Sequence, residues 1–340
     1  MKVSVLPHID VSFPEHLVTV ERSHCFWKQM QTLLLYVFHL VVLVAASHAN
    51  SQYLPIVLWH GLGDEYDSVP MQRVIDTIQD TLPGIFIHSV RLDEDGGNDQ
   101  RKSFFGNATE EVEYVCNQLA NVTELQNGFN AIGFSQGGLF LRAYVERCNN
   151  PPMKTLATFG TPHNGIADLP PCRSNDFLCK TRNNLLKTQI WTDYAQSNVI
   201  TAQYYRDPEE IEQYLEYSSF LADINNERLE TQNDSYADRL STLERLVLIL
   251  FSDDVTVVPK ESAWFQEVNR TTGKVTSLEK RPLYLDDWIG LRTLGENDLI
   301  DYLIINGAHM QFSEEELRNI VTTYMATRQE PEEKLIHQIN

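Results

Sequence analysis

The sequence predicts an α/β fold, a mostly parallel central sheet flanked by helices and carrying a mainly helical insertion. Three observations predict it. Short apolar runs alternate with amphipathic helical spacings from Leu54 to Phe159, the rhythm of strands joined by crossover helices. That rhythm breaks from about His163 to Leu243 and resumes at Leu246 and Ile300. Finally, a Gly-x-Ser-x-Gly turn stands between a strand pattern and a helix pattern.

Leu54-Pro-Ile-Val-Leu-Trp59 ends at His60-Gly61 and reads as a buried parallel strand. Val69 to Leu82 places Met71, Val74, Ile75, Ile78 and Leu82 at helical spacing. Ile85 to Ile87 reads as the next strand, and Glu110 to Val122 as a helix through Val112, Val115 and Leu119. Phe129 to Gly133 is a strand, Gly137 to Cys148 a helix, and Thr155 to Phe159 a strand. Within the insertion, Asp207 to Asn225 reads as a polar helical stretch. Leu246 to Phe251 and Ile300 to Ile305 are the last strands. Ser313 can cap a final helix reaching about Met325. Glu314, Glu315 and Glu316 then sit in its first turn, where the helix dipole favours negative charge.

Composition bounds the partners. Hydrophobic residues make up 42% of the 340 residues, enough for a full core. The formal net charge is -20. Such a surface repels phosphate backbones, so nucleic acid is not an expected partner, and neither is a membrane reached through a basic patch. An acidic balance suits an acidic compartment, where partial protonation of carboxylates lowers self-repulsion. The only long apolar run, Leu33 to Ala46, is interrupted by His39 and falls short of the ~20 residues of a membrane span. It ends in Ser47-His48-Ala49, which fits a signal-peptidase site. Met30–Ala49 therefore reads as a signal peptide and residues 1–29 as an upstream extension. Residues 50–340 read as one catalytic domain with its insertion, or cap, at about 163–243. No membrane span is expected after cleavage; an uncleaved anchor is the competing reading.

Cleavage would remove Cys25 and leave Cys116, Cys148, Cys172 and Cys179. An even number in an oxidising compartment reads as two disulfides. No Cys-x-x-Cys spacing occurs, so zinc is not expected, and no metal or organic cofactor is implied. Asn107, Asn121, Asn233 and Asn269 head Asn-x-Ser/Thr sequons and are glycosylation candidates.

The chemistry centres on Gly133-Phe-Ser-Gln-Gly137. A sharp strand-to-helix turn would put Ser135 in a strained conformation at a helix N-terminus, where the dipole favours a developing anion. The partners of such a serine follow in the order acid, then histidine, each just after a strand. Asp253 and Asp254 follow one strand and His309 follows the last. Ser135 would be the nucleophile and His309 the general base, with one of the two aspartates orienting the imidazole. The pattern alone does not choose between them. His163 follows the strand next after the nucleophile, the wrong place for the base, and reads as structural or pocket-lining. Two backbone N–H groups would form the oxyanion hole: Gln136, after the nucleophile, and Leu62, in the loop His60-Gly-Leu-Gly-Asp64.

With these residues in hand, the chain resembles the palmitoyl-protein thioesterases, the lysosomal type-1 enzymes in particular, within the α/β-hydrolase superfamily. The resemblance covers about Leu54 to Leu317. It rests on His60-Gly-Leu-Gly-Asp64, Gly133-Phe-Ser-Gln-Gly-Gly138, Phe251-Ser-Asp-Asp-Val-Thr-Val-Val-Pro259 and Gly307-Ala-His-Met-Gln-Phe-Ser313. It implies Asp254 as the acid, supports His309, Leu62 and Gln136 in their roles, and implies the disulfides Cys116–Cys148 and Cys172–Cys179. It further implies hydrolysis of long-chain fatty acyl thioesters on cysteines of S-acylated proteins or peptides, in a lysosome or vacuole. A secreted lipase or carboxylesterase is the alternative on the same fold. Acyl selectivity needs an apolar groove. The insertion is expected to wall it, with Phe140, Leu169, Trp191 and Phe220 as lining candidates. Gly160-Thr-Pro-His163 departs from the family pattern towards that of lipases.

Overall fold

Six strands alternate with helices between Ile56 and Ile305. The structure is a computed structural model and describes residues 53–169 and 187–328. The expected upstream extension, signal peptide and Cys172–Cys179 pairing lie outside these residues. The strands are β1 (Ile56–Trp59), β2 (Ile87–Ser89), β3 (Phe129–Phe134), β4 (Met153–Phe159), β5 (Arg245–Phe251) and, at the far edge, β8 (Ile300–Ile305). They form one parallel sheet in the order β2-β1-β3-β4-β5-β8. The order reverses at β1, so a crevice opens between the carboxyl ends of β1 and β3, the usual site of ligands in such sheets.

The four central strands are buried on both faces, and the pleat divides their residues between two cores. Val57, Trp59, Ala131, Leu156 and Leu248 face helices α3 (Ala108–Ala120) and α4 (Gln136–Arg147) together with the insertion. Ile56, Leu58, Ile132, Phe134, Ala157 and Val247 face α1 (Val69–Thr81) and the last helix. That last helix starts at Glu314 behind a capping box of Ser313 and Glu316, and widens to a π-helical turn over Val321–Met325. Cys116 of α3 and Cys148 at the end of α4 are disulfide-bonded, with Cα atoms 6.2 Å apart. The sequons Asn107, Asn121 and Asn233 lie at helix ends, and Asn269 lies in a hairpin turn.

Some elements differ from expectation. The second strand begins at Ile87, not Ile85, because Pro83-Gly84 turns the chain and Ile85 N–H donates to Leu82 O at 3.1 Å. A helix absent from the sequence reading, α2 (Gly96–Phe104), stands between β2 and α3, capped by Asp95. The stretch Asp207 to Asn225 is not one helix; it breaks between Ile211–Tyr217 and Leu221–Ile224, where Ser219 turns aside to bond Gln196. A second excursion between β5 and β8 carries the small hairpin β6–β7 (Glu267–Val268 and Val275–Thr276). Among the described residues no helix is long and apolar enough to cross a membrane.

Candidate active site

Ser135 sits between β3 and α4 with φ 50 and ψ -119, a backbone region that costs a non-glycine residue energy and is tolerated where the surroundings enforce it. Its surroundings do so. A Cβ on Gly133 would stand 2.3 Å from Gly138 Cα, and one on Gly137 2.3 Å from Trp59 O. Only glycine allows the nucleophile turn to close this tightly. Ser135 N–H donates to Phe159 O at 2.8 Å, and Thr161 Oγ1 donates to Ser135 O at 2.8 Å. Strand β4 thus fixes the turn from the side.

The loops after β5 and β8 bring the other groups to Ser135. Asp253 N–H donates to Gly307 O at 2.9 Å, and Gly307 N–H to Ser252 Oγ at 3.1 Å. These bonds staple the two loops together. His309 Nε2 lies 3.0 Å from Ser135 Oγ, and His309 Nδ1 lies 2.6 Å from Asp254 Oδ2. Asp254 is 8% exposed, and its Oδ1 accepts the N–H groups of Thr256 and Val257 at 2.8 and 3.0 Å. Asp254 thus accepts backbone bonds on Oδ1 while its Oδ2 meets Nδ1, which orients the imidazole with Nε2 facing the serine. Asp253 points to solvent. The two aspartates that the pattern could not separate are therefore separated by geometry.

His163 is buried, 3.0 Å from Thr158 Oγ1, and stacks on Phe265 at 4.4 Å. Burial and the nearby Arg142 cation push its pKa down, and it does not reach Ser135. The backbone N–H groups of Leu62 and Gln136 donate to nothing among the described residues, as donors kept for a developing oxyanion would. No motif revealed the Gln136 side chain. It is buried, donates from Nε2 to Ser103 O at 3.1 Å, and accepts from Tyr204 OH at 3.2 Å. It thus ties the start of α4 to α2 and to the insertion. Among the described residues no group of three His, Cys, Asp or Glu side chains is disposed to hold a metal ion.

A cavity of about 660 Å³ opens at Ser135 and His309. Met71, Val74, Phe134, Met310, Phe312 and Leu317 line one side, all belonging to or packed on the α1 core. The turn after β4 contributes Pro162, the insertion Ile166 and Tyr204, and α2 contributes Phe104. This corrects the expected lining, because Phe140, Leu169, Trp191 and Phe220 do not border the cavity. They belong to the core on the opposite face or pack against it. Phe140 packs edge-on to Trp59 and Phe220, and Trp191 meets Tyr205 and Tyr214.

A family model described as palmitoyl protein thioesterase matches residues 55–309. Palmitoyl-protein thioesterase 1 of Caenorhabditis elegans is 36% identical over 283 residues, covering 82% of this chain and 94% of its own. Palmitoyl-protein thioesterase 3 of Dictyostelium discoideum is 32% identical, covering 82% of this chain and 91% of its own. A mouse protein named lysosomal thioesterase PPT2 is 29% identical, covering 73% of this chain and 79% of its own.

Proposed function

The chain belongs to the palmitoyl-protein thioesterase family, and from that premise we infer that it hydrolyses long-chain fatty acyl thioesters on cysteines of S-acylated proteins or peptides. The observation that carries this reading is the apolar groove meeting a serine–histidine–aspartate line at its mouth. The groove takes the acyl chain, each buried methylene contributing about 0.8 kcal/mol, and the line performs the acyl transfer.

Ser135 Oγ attacks the thioester carbonyl while His309 Nε2 takes its proton. The carbonyl electrons move onto oxygen, which the Leu62 and Gln136 N–H groups receive. Asp254 stabilises the imidazolium. The tetrahedral intermediate expels the cysteine sulfur, and His309 returns the proton to it. A thiolate whose conjugate acid has a pKa of about 8.5 needs less help in leaving than an alkoxide. Water then attacks the acyl-enzyme with His309 again as base, releasing the fatty acid and restoring Ser135.

The compartment we propose is the lysosome or an equivalent vacuole, entered through the Met30–Ala49 segment. Buried Glu111 supports an acidic setting. Burial pushes it up to about 8, so it is neutral in an acidic lumen.

The test is an acyl-chain series of thioesters beside matched oxygen esters, at acidic and neutral pH, with Ser135→Ala as the blank. Turnover that rises with chain length on thioesters supports the reading. Turnover of glycerides alone would replace it with a lipase.

A further inference from the structure

His60 is the first residue after β1 and is 2% exposed. Its Nδ1 lies 3.0 Å from Gly61 O and its Nε2 lies 3.0 Å from Asp99 Oδ2. Both partners are acceptors. Gly61 O is a carbonyl. Asp99 is fully buried, and it also accepts Tyr66 N–H on Oδ2 at 2.9 Å and Leu92 N–H on Oδ1 at 2.7 Å, which fixes it as a carboxylate. A neutral imidazole has one N–H, so it would turn a lone pair on one of these oxygens. Only the imidazolium satisfies both.

Gly61 O belongs to the same peptide unit as Leu62 N–H. In a planar trans peptide the C=O and N–H point in opposite directions. A donor holding the carbonyl on one side therefore aims the N–H to the other side, and drawing charge towards the carbonyl oxygen makes that N–H a stronger donor. We propose that His60 is the positioning residue of the oxyanion hole: it grips the Gly61 carbonyl and the Asp99 carboxylate at once and so aims Leu62 N–H at the reacting carbonyl. This rests on the thioesterase reading and on Leu62 as an oxyanion donor. Helix α2 completes the device, with Gly63 N–H donating to Ser103 Oγ at 2.8 Å and Gln100 Nε2 donating to Gly63 O at 2.8 Å.

The grip is pH-dependent, with a definite sign. The hydrogen bond and charge of Asp99, the Gly61 carbonyl and the Asp64 charge together outweigh desolvation and raise the His60 pKa. The charged groups around it are Asp99 from α2 and Asp64 on its own loop. Glu111 of α3 and Lys102 of α2 bear on it less directly, through one another and Asp99. A raised histidine is charged below its folded pKa and releases its proton as pH climbs through it, so the grip is complete in acid and lost on the alkaline side. His309 needs the opposite state to act as a base.

The experiment compares the wild type and His60→Gln on a palmitoyl thioester and on its dithioester analogue, in which sulfur replaces the carbonyl oxygen and accepts hydrogen bonds poorly. We expect His60→Gln to lower kcat per folded molecule on the thioester about 10–100-fold, with KM within about twofold. The loss should shrink at least threefold on the dithioester. An equal loss on both substrates, or no loss on the thioester, overturns the proposal. If the variant fails to fold, the ring ¹⁵N shifts of His60 in the wild type decide: imidazolium at pH 6 is expected, and a neutral ring overturns the proposal. Failure of the thioesterase reading looks different, because the wild type itself would not turn over the thioester. The rate at which a fluorophosphonate labels Ser135 then carries the same comparison, and equal rates in the wild type and His60→Gln overturn the proposal.

Discussion

The carboxyl edge of the sheet and the cap region both bury charged groups, but for different ends. At the sheet edge, Asp254, His309, His60 and Asp99 are held by backbone N–H and C=O groups of loops that the parallel ladder has already placed. Among the described residues of the cap, the β pairing is limited to an isolated bridge between Ile166 and Tyr205. Arg206 and Glu227 of the cap lie buried together with Arg281 of the excursion between β5 and β8, and Glu227 accepts from both arginines and from Tyr214. Arg142 of α4 reaches into the same region and bonds Ile224 O, His163 O, Asn225 and Glu146. In one region buried polarity serves chemistry on a rigid frame; in the other it replaces the frame. Substitutions should therefore separate cleanly, lowering rate in the first region and stability in the second.

The sharpest separation comes from Ser135→Ala. Turnover should fall about 10⁶-fold, while the melting temperature should stay level or rise, since the strained turn no longer carries a functional side chain. A thioester assay beside calorimetry checks both. A variant that lost activity only as fast as it lost structure would erase the contrast. Glu227→Ala tests the other half. It leaves Arg206 and Arg281 buried with half-exposed Glu267 as the remaining carboxylate, a loss expected to destabilise by ~3–5 kcal/mol. Urea unfolding measures it, and kcat per folded molecule should be unchanged because Glu227 borders no part of the groove.

The same contrast explains what could be read from the sequence. Ser135, Asp254 and His309 each follow directly after an apolar strand, so local pattern located them, down to a pair of aspartates. Geometry then separated the pair: Asp254 meets His309 and Asp253 faces solvent. Helix α2 was illegible, because Gly96-Gly97 and a run of polar residues carry no apolar stripe. Tertiary bonds from Asp99, Gln100 and Ser103 hold it instead. The groove was placed on the wrong face for a related reason. Strand β1 is apolar at every position and buried on both sides, so alternation gives no clue to which face meets which helices. The ion cluster between the cap and the excursion after β5 joins residues dozens of positions apart, and nothing in the spacing of Arg206, Glu227 and Arg281 announces it.

The groove itself offers a smaller test. Val74 lines the wall formed by α1 and is 7% exposed. Val74→Phe should fill the path of a long chain and spare a short one. The ratio of kcat/KM for palmitoyl over butyryl thioesters should fall about 10–100-fold, as expected for losing a few buried methylenes. The matching change on the opposite face, Phe140→Leu, should cost stability and leave that ratio alone. A ratio that followed Phe140 instead would return the acyl site to the side of the sheet facing the insertion.

Glu111 joins the two regions, since it is buried on α3 close to Asp99 yet touches no substrate. Neither carboxyl oxygen has a hydrogen-bond partner among the described residues, and a Cβ on Gly106 would stand 2.2 Å from Oε1. Desolvation pushes its pKa up to about 8, the Asp99 and Glu110 charges adding to this and Lys102 opposing it. A carboxyl raised above its unfolded value stays protonated in the fold while the unfolded chain ionises. Its stability is therefore whole in acid and falls as pH rises from about 4.5 to about 8. Glu111→Gln removes the titration and keeps the shape. From pH 5 to pH 8.5 the variant should gain on the wild type by an amount on the order of 1–3 kcal/mol, read from urea midpoints at the two pH values. A constant difference between them would mean that Glu111 ionises freely in the fold. The acid-poised character of this corner would then rest on His60 alone.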